Sequence, residues 1–72
     1  WGKMLLLKER LRTLRKSRGL RQEKMAELCE IGLTTYRRYE SGEREPAATV
    51  LWKMADVFGV SVDYLIGRSD EP

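Results

Sequence analysis

Histidine is absent from the sequence, and cysteine occurs once, as Cys29. The lack of histidine excludes a histidine general base and a histidine metal ligand, and one cysteine excludes an intrachain disulfide and a cysteine-based zinc site. A free thiol without a disulfide framework indicates a reducing, cytoplasmic compartment. We expect Cys29 to be a small buried hydrophobe, because nothing near it in the sequence would activate it as a nucleophile. No residue pattern supports an enzyme, a cofactor or a metal.

Long hydrophobic runs are also missing. The longest, Met4–Leu7 and Ala47–Trp52, are far too short to span a bilayer, so no membrane-spanning segment is expected. No alternating run of β-branched residues occurs, which favours an all-α chain. The 72 residues are enough for one small domain. We expect it over residues 5–67, between a processing remnant or disordered start at residues 1–4 and a disordered tail at residues 68–72.

Charge is divided unevenly along the chain. Residues 1–24 hold nine basic and two acidic side chains, whereas residues 25–72 hold five basic and nine acidic ones. The first part therefore carries a net charge of +7 and the second a net charge of −4. A basic half on a small domain is typical of a protein that binds a polyanion, either nucleic acid or an anionic membrane surface. A solvated helix face explains the same pattern, and charge alone leaves both interpretations open.

The spacing of apolar residues and of the glycines that follow them predicts five helices. In the first, Leu7, Leu11 and Leu14 recur at i, i+4 and i+7, with charged residues between them. The same reasoning predicts helices over residues 5–18, 22–29, 33–41, 47–58 and 62–66.

The second and third helices have the layout of a helix-turn-helix unit. The segment 22–41 contains 20 residues, the length of such a unit. A small residue, Ala26, stands where the two helices would cross, and Gly32 permits a sharp reversal between them. Ile31 and Tyr36 are suited to fill the wedge between the helices, so we expect Tyr36 in the core rather than on a DNA-reading surface.

Several short motifs follow one another in a specific order. Gln22-Glu23-Lys24-Met25-Ala26 opens the second helix, Tyr39-Glu40-Ser41-Gly42 closes the third, and Gly59-Val60-Ser61 precedes the fifth. In this order they resemble the Cro and phage-repressor type of helix-turn-helix domain, the XRE family, over residues 5–67. The resemblance implies a compact five-helix, lambda-repressor-like DNA-binding domain. Helices two and three would form the helix-turn-helix, and helix three, about residues 33–41, would enter the major groove.

The resemblance also implies which residues face DNA. It places Leu33, Thr34 and Arg38 at base edges, with Arg37 close enough to reach a base or only a phosphate. Arginine has the planar fork that pairs with guanine O6 and N7, and the methyl groups of Leu33 and Thr34 suit thymine. The expected phosphate contacts are Arg21, Gln22, Gly32, Ser41 and Arg44.

Two structural roles are implied as well. An ion pair between Arg15 and Glu40 would join the first helix to the third, the alternative being two independent surface charges. Trp52 is large for a core of this size, and it either joins a dimer contact or packs at the edge of the core. The other dimer contacts implied by the resemblance are Val60, Val62, Leu65 and Ile66.

Four positions depart from the family pattern. Arg21 and Ala47 stand where good N-cap residues are usual, although Arg21 adds a potential phosphate contact. Glu30 stands where glycine is usual, so it adopts a strained left-handed conformation unless the turn differs. Glu43 replaces a residue that is often basic, which weakens the expectation of phosphate contacts in its loop.

Two classes of function remain. The first is a sequence-specific, double-stranded DNA-binding transcriptional regulator, repressor-like, that binds a palindrome as a homodimer. Two copies are expected because one domain reads only about half a turn of duplex. The alternative is an antitoxin or bridging-type module that uses the same fold to hold another protein. We favour the first, because the tail after Gly67 is too short for a partner-binding extension. For such a regulator we expect neither a membrane partner nor a small-molecule ligand in this domain.

Overall fold

A computed structural model describes residues 6–72, which form five helices and no strand. The all-α, five-helix prediction is confirmed, with helix ends shifted by one or two residues. The expected start at residues 1–4 and the predicted helical residue Leu5 lie outside the described residues. The helices are α1 (Leu7–Ser17), α2 (Gln22–Leu28), α3 (Leu33–Ser41), α4 (Ala48–Phe58) and α5 (Val62–Ile66).

Side-chain caps are scarce at the helix starts. Arg21 before α2 and Ala47 before α4 make no side-chain cap hydrogen bond, as their chemistry predicts. At α5 the hydroxyl of Ser61 accepts a hydrogen bond of 3.0 Å from the backbone N–H of Tyr64. The other four helices have no side-chain cap hydrogen bond, so they depend on packing more than on capping for their stability.

Gly67 ends α5 where only glycine fits. Its φ of 93° lies in the left-handed region, and a Cβ atom there would approach the Cβ and Cγ atoms of Leu6 to 2.9 Å. The close approach brings the end of α5 against the start of α1. The start of α1 and the end of α5 therefore lie together.

One core holds the five helices together. Leu11, Met25, Tyr36, Met54 and Leu65 are fully enclosed, and each comes from a different helix. Helix α1 packs against both α3 and α5, and α2 packs against α3. The core therefore fixes the inner faces of α2 and α3, and their outer faces remain exposed.

Helix α4 buries one apolar stripe. Leu51, Met54, Ala55 and Phe58 are buried, whereas Ala48, in the first turn, is exposed. The buried stripe of α4 therefore begins at Leu51.

Residues 68–72, expected to be a disordered tail, form no helix but contact α1. Arg10 donates hydrogen bonds from Nη1 to the carbonyl oxygen of Ser69 (2.7 Å) and from Nη2 to Asp70 Oδ1 (3.0 Å). The guanidinium of Arg10 also lies 4.0 Å from the centre of the Tyr64 ring. Arg10 of α1 thus holds the segment that follows α5.

None of the helices within residues 6–72 is long and apolar enough to cross a membrane.

Candidate nucleic-acid interface

The turn between α2 and α3 is tight and contains one strained residue. Glu30 has a φ of 60°, and the backbone N–H of Ile31 donates to the carbonyl oxygen of Ala26 at 3.0 Å. Glu30 is therefore the left-handed residue that the sequence predicted, and its carboxylate forms an ion pair with Lys53 of α4. Gly32 was expected to make the reversal, but its φ of −72° and ψ of 153° are extended values that any residue adopts.

Arg15 and Glu40 join α1 to α3 through a bidentate ion pair. Arg15 Nε donates to Glu40 Oε2 at 2.8 Å, and Arg15 Nη2 donates to Oε1 at 2.9 Å. The side chains are 11% and 3% exposed, so two independent surface charges are excluded. The remaining Nη1 of Arg15 donates to the carbonyl oxygen of Leu20, which fixes the connection between α1 and α2. The pair holds the helix-turn-helix against α1.

Tyr36 completes the surroundings of the same carboxylate. Its ring is fully buried, as predicted, and its hydroxyl donates to Glu40 Oε2 at 2.6 Å. Burial raises the pKa of Glu40, but hydrogen bonds from Arg15, Tyr36 and Gln22 outweigh burial, and the net pKa lies below its ordinary value. Burial and the bond to Glu40 raise the pKa of Tyr36. At neutral pH, Glu40 is therefore an anion that only accepts hydrogen bonds.

The outer face of α3 presents the residues predicted to contact bases. Thr34, Arg37 and Arg38 are exposed, Leu33 is half-buried, and all but Leu33 line one shallow depression with Ser41 and Glu43. Arg38 Nε lies 3.4 Å from Glu43 Oε2. The guanidinium groups of Arg37 and Arg38 therefore both lie on this face, and the carboxylate of Glu43 partly neutralises the charge of Arg38.

The predicted phosphate-contacting residues lie around this face, but they differ in whether their polar groups already have hydrogen-bond partners within the protein. Arg21, Gly32 and Arg44 are exposed. Ser41 is exposed too, yet its hydroxyl donates to the carbonyl oxygen of Arg38 at 3.0 Å and accepts from the backbone N–H of Glu43 at 3.3 Å. The hydroxyl of Ser41 is thus already used to shape the end of α3.

Gln22, the first residue of α2, lies between the buried carboxylate and the exposed face. Its Nε2 donates to Glu40 Oε1 at 3.2 Å, and its Oε1 accepts from Arg37 Nε at 3.2 Å. The Gln22 amide therefore bridges the buried carboxylate of Glu40 and the exposed guanidinium of Arg37.

Two cations of α1 join this surface without having been predicted there. The stem of Lys8 passes over Gly42, where a Cβ atom would lie 3.0 Å from Lys8 Cδ. Arg12 Nε lies 3.8 Å from Glu40 Oε1, and its side chain is 56% exposed. The signal was present in the sequence, since Lys8 and Arg12 are four residues apart and share a helix face with Arg15. Basic charge from α1 thus extends to the C-terminal end of α3.

The predicted dimer residues do not all reach the surface. Trp52 is 68% exposed, and it lines a shallow depression with Val60 and Val62. Ile66 is half-buried, whereas Leu65 is fully buried. The prediction for Leu65 is wrong because its side chain points into the core of the domain, and Trp52 is a surface residue rather than part of that core.

The thiol of Cys29 and clusters of metal-ligating side chains are the remaining candidates for chemical function. Cys29 is buried as predicted, and burial raises the pKa of its thiol to about 11. Within residues 6–72 no three histidine, cysteine or carboxylate side chains come together as a metal site.

The sequence profile of the helix-turn-helix family matches residues 11–65. The cryptic phage CTXphi transcriptional repressor RstR of Vibrio cholerae serotype O1 is 45% identical over 62 residues, which cover 86% of this chain and 55% of that repressor. The chain therefore spans about half the length of this relative. A transcriptional regulator from Listeria innocua has the same fold (TM-score 0.82, 35% identity), with 92% of this chain and 62% of that one covered.

The P22 c2 repressor protein, solved in complex with a synthetic operator, is also similar, with a TM-score of 0.78 and 26% identity. The match covers 90% of this chain and 94% of that one. The profile, the relative and the solved structure thus agree on a helix-turn-helix domain. On these grounds the chain belongs to the helix-turn-helix family, among the domains of the Cro and phage-repressor (XRE) type.

Proposed function

We propose that this chain is the operator-binding part of a repressor-like transcriptional regulator that acts in the cytoplasm. One observation carries the proposal: α3 buries Tyr36, Tyr39 and Glu40 on its inner side and presents Thr34, Arg37 and Arg38 on its outer side. A helix anchored in this way is stiff enough to enter the major groove without rearranging the core. The match to a named repressor and to a repressor solved with its operator supports this assignment.

Direct reading of bases falls to the outer face of α3. Arg37 and Arg38 offer forks for guanine, and Leu33 and Thr34 offer methyl groups to thymine. The proposed phosphate contacts are exposed cations, polar side chains and backbone N–H groups near this helix. They are Arg21, Gln22, Gly32, Ser41 and Arg44, with Lys8 and Arg12 of α1 added by their position.

The proposal includes a homodimer on a palindromic site. Trp52, Val60 and Val62 form one apolar surface patch, with Ile66 half-buried nearby in sequence. A second copy that covers this patch would place two α3 helices on one duplex, about one helical turn apart. Replacing Trp52 with alanine is then expected to weaken the dimer and lower the affinity for a full palindrome more than for a half-site.

Selection of bound sites from random duplexes tests the proposal directly. A recovered motif with two inverted half-sites supports sequence-specific binding by a dimer. For roughly six to ten phosphate contacts, affinity should fall by about 10³–10⁵ between about 50 and 200 mM salt.

Lys53→Ala is the matched control for the charge on α3. Lys53 is an exposed cation on α4 that pairs with Glu30, away from the α3 face, so its loss should leave the motif unchanged. Recovery of no motif, together with a flat salt titration, would overturn DNA binding and favour the antitoxin or bridging-type module.

A further inference from the structure

Two adjacent arginines of α3 are held in different ways. Arg38 lies beside the carboxylate of Glu43, with 3.4 Å between Nε and Oε2. Arg37 instead donates its Nε to a neutral amide oxygen, Gln22 Oε1, at 3.2 Å. A carboxylate competes with DNA for an arginine fork through charge, whereas an amide orients the fork without neutralising it.

The orientation of the Gln22 amide is set from inside the domain. The Glu40 carboxylate accepts from Arg15 and Tyr36, which keep it in one place, and as an anion it only accepts. Gln22 must therefore present its NH₂ group to Glu40, as the 3.2 Å contact from Nε2 to Oε1 shows. The amide oxygen then faces outward, where it is an acceptor for Arg37.

The contact with Gln22 orients the outer end of the Arg37 side chain. With Nε engaged by Gln22, Nη1 and Nη2 meet no acceptor among residues 6–72, and the side chain lines the same depression as Thr34. A flexible arginine loses much side-chain freedom on binding, so a fork that is already oriented binds with a smaller entropic loss.

We propose that Gln22 is a positioning residue that aims the Arg37 fork at a guanine, with Glu40 fixing the direction of the Gln22 amide. This inference rests on the proposed function and deepens it. It assigns part of the base preference of α3 to a side chain on α2 that need not touch a base.

A double-mutant cycle on the selected duplex tests the proposal. The variants are Gln22→Met, which keeps the length but cannot orient Arg37, Arg37→Ala, and the two combined. Arg37→Ala should reduce the preference for guanine at one base pair by roughly 5- to 100-fold. Gln22→Met should reduce the preference at that same base pair by about two- to tenfold, and the combined variant should lose no more than Arg37→Ala alone.

Two controls make the result specific. Gln22→Met combined with Arg38→Ala should give additive losses, because Arg38 is held by Glu43. Arg37→Lys should lose the base preference while keeping the salt dependence, since lysine retains the charge but not the fork. Thermal unfolding of each variant establishes that binding is compared among folded proteins, and folding is expected because Arg37 is exposed and Glu40 keeps its bonds to Arg15 and Tyr36.

If Gln22→Met lowers affinity equally for every base at that position, whether or not Arg37 is present, the inference is overturned and Gln22 keeps only its proposed phosphate contact. Failure to select any duplex with the unaltered chain would instead overturn the proposed function. The two failures are therefore distinguishable.

Discussion

Removing the guanidinium of Arg15 is the sharpest perturbation that this fold offers. Arg15→Met keeps the aliphatic stem but leaves Glu40, 3% exposed, without its charged partner. The two bonds to Glu40, of 2.8 and 2.9 Å, and the bond to the carbonyl oxygen of Leu20 are lost, while Glu40 keeps its bonds from Tyr36 and Gln22. Breaking a buried pair on one side costs about 3–5 kcal/mol. The two remaining donors place the expected loss near the lower end, about 3 kcal/mol.

That loss is large for a chain of this size. A domain of 72 residues has a free energy of unfolding of about 4–11 kcal/mol, so Arg15→Met should lower the unfolding temperature by more than about 10 °C. Urea unfolding followed by far-ultraviolet circular dichroism measures the change in the free energy of unfolding, and a thermal scan measures the change in the unfolding temperature. Arg15→Lys keeps the charge but not the two-bond fork. Its free energy of unfolding should therefore fall between those of Arg15→Met and the original chain.

Arg12→Met is the matched control. Arg12 approaches the same carboxylate, but at 3.8 Å and with a side chain that is 56% exposed, so its loss should cost under about 1 kcal/mol. Equal effects from Arg12→Met and Arg15→Met would refute the reasoning, because burial and bidentate geometry would then have no weight. A loss below about 1 kcal/mol for Arg15→Met would do the same.

Acid should weaken the same contact. The pKa of Glu40 is lower in the folded chain than its ordinary value of 4.5, so the unfolded chain takes up the proton first. The stabilisation is therefore complete above about pH 4.5, and it is lost as pH falls towards and through the lowered folded value. Glu40→Gln should be less stable at pH 7 and should show a shallower decline in this acid range. An unchanged decline would assign the acid sensitivity to other carboxylates.

Three further predictions concern the exposed face and its turn. Arg38→Ala should weaken binding to the selected site by about 1–3 kcal/mol and relax the preference at one base pair, and an equal loss on every sequence would make Arg38 a phosphate contact. Glu43→Gln should increase affinity at low salt, because it releases Arg38 from a carboxylate 3.4 Å away, and an unchanged affinity would show that this pair does not compete with DNA. Glu30→Gly should raise the urea midpoint by removing the strain of a φ of 60°, whereas Glu30→Ala, which keeps the strain and loses the pair with Lys53, should lower it.

Local patterns in the sequence predicted most of the fold. The spacing of Leu7 and Leu11 identified the buried stripe of α1, and both residues are enclosed. Glycines at positions 42, 59 and 67 marked three helix ends that adopt positive φ. These features are determined within a few residues, so a linear pattern contains them.

Partners across the fold were harder to predict. A helical pattern shows that Leu65 lies on an apolar face, but not whether that face meets the core or a second copy, and here it meets the core. The contact of Arg10 with Ser69 joins residues that are 59 positions apart, and no local signal indicates it. The path from Glu40 through Gln22 to Arg37 was missed for the same reason.

The charge pattern also has a partly structural origin. Arg10, Arg15 and Arg18 contribute to the basic first part of the chain, yet each donates to an acceptor within the protein. Arg18, for example, donates from Nη2 to the carbonyl oxygen of Phe58 at 2.6 Å, at the end of α4. The basic half thus overstates the charge that faces a polyanion, and exposed cations such as Lys8 and Arg12 carry more weight than the net +7.

The buried carboxylate of Glu40 has a role that a hydrophobic pair at the same position would not supply. Well-packed apolar residues often replace a buried ion pair without loss of stability, so stability alone does not account for Glu40. An apolar side chain there, however, would leave the amide of Gln22 without a fixed acceptor, and nothing would then hold Arg37. An anion with four hydrogen bonds from three residues specifies one arrangement of α1, α2 and α3. The orientation of Arg37, which we propose to face DNA, is therefore a consequence of how the core is closed.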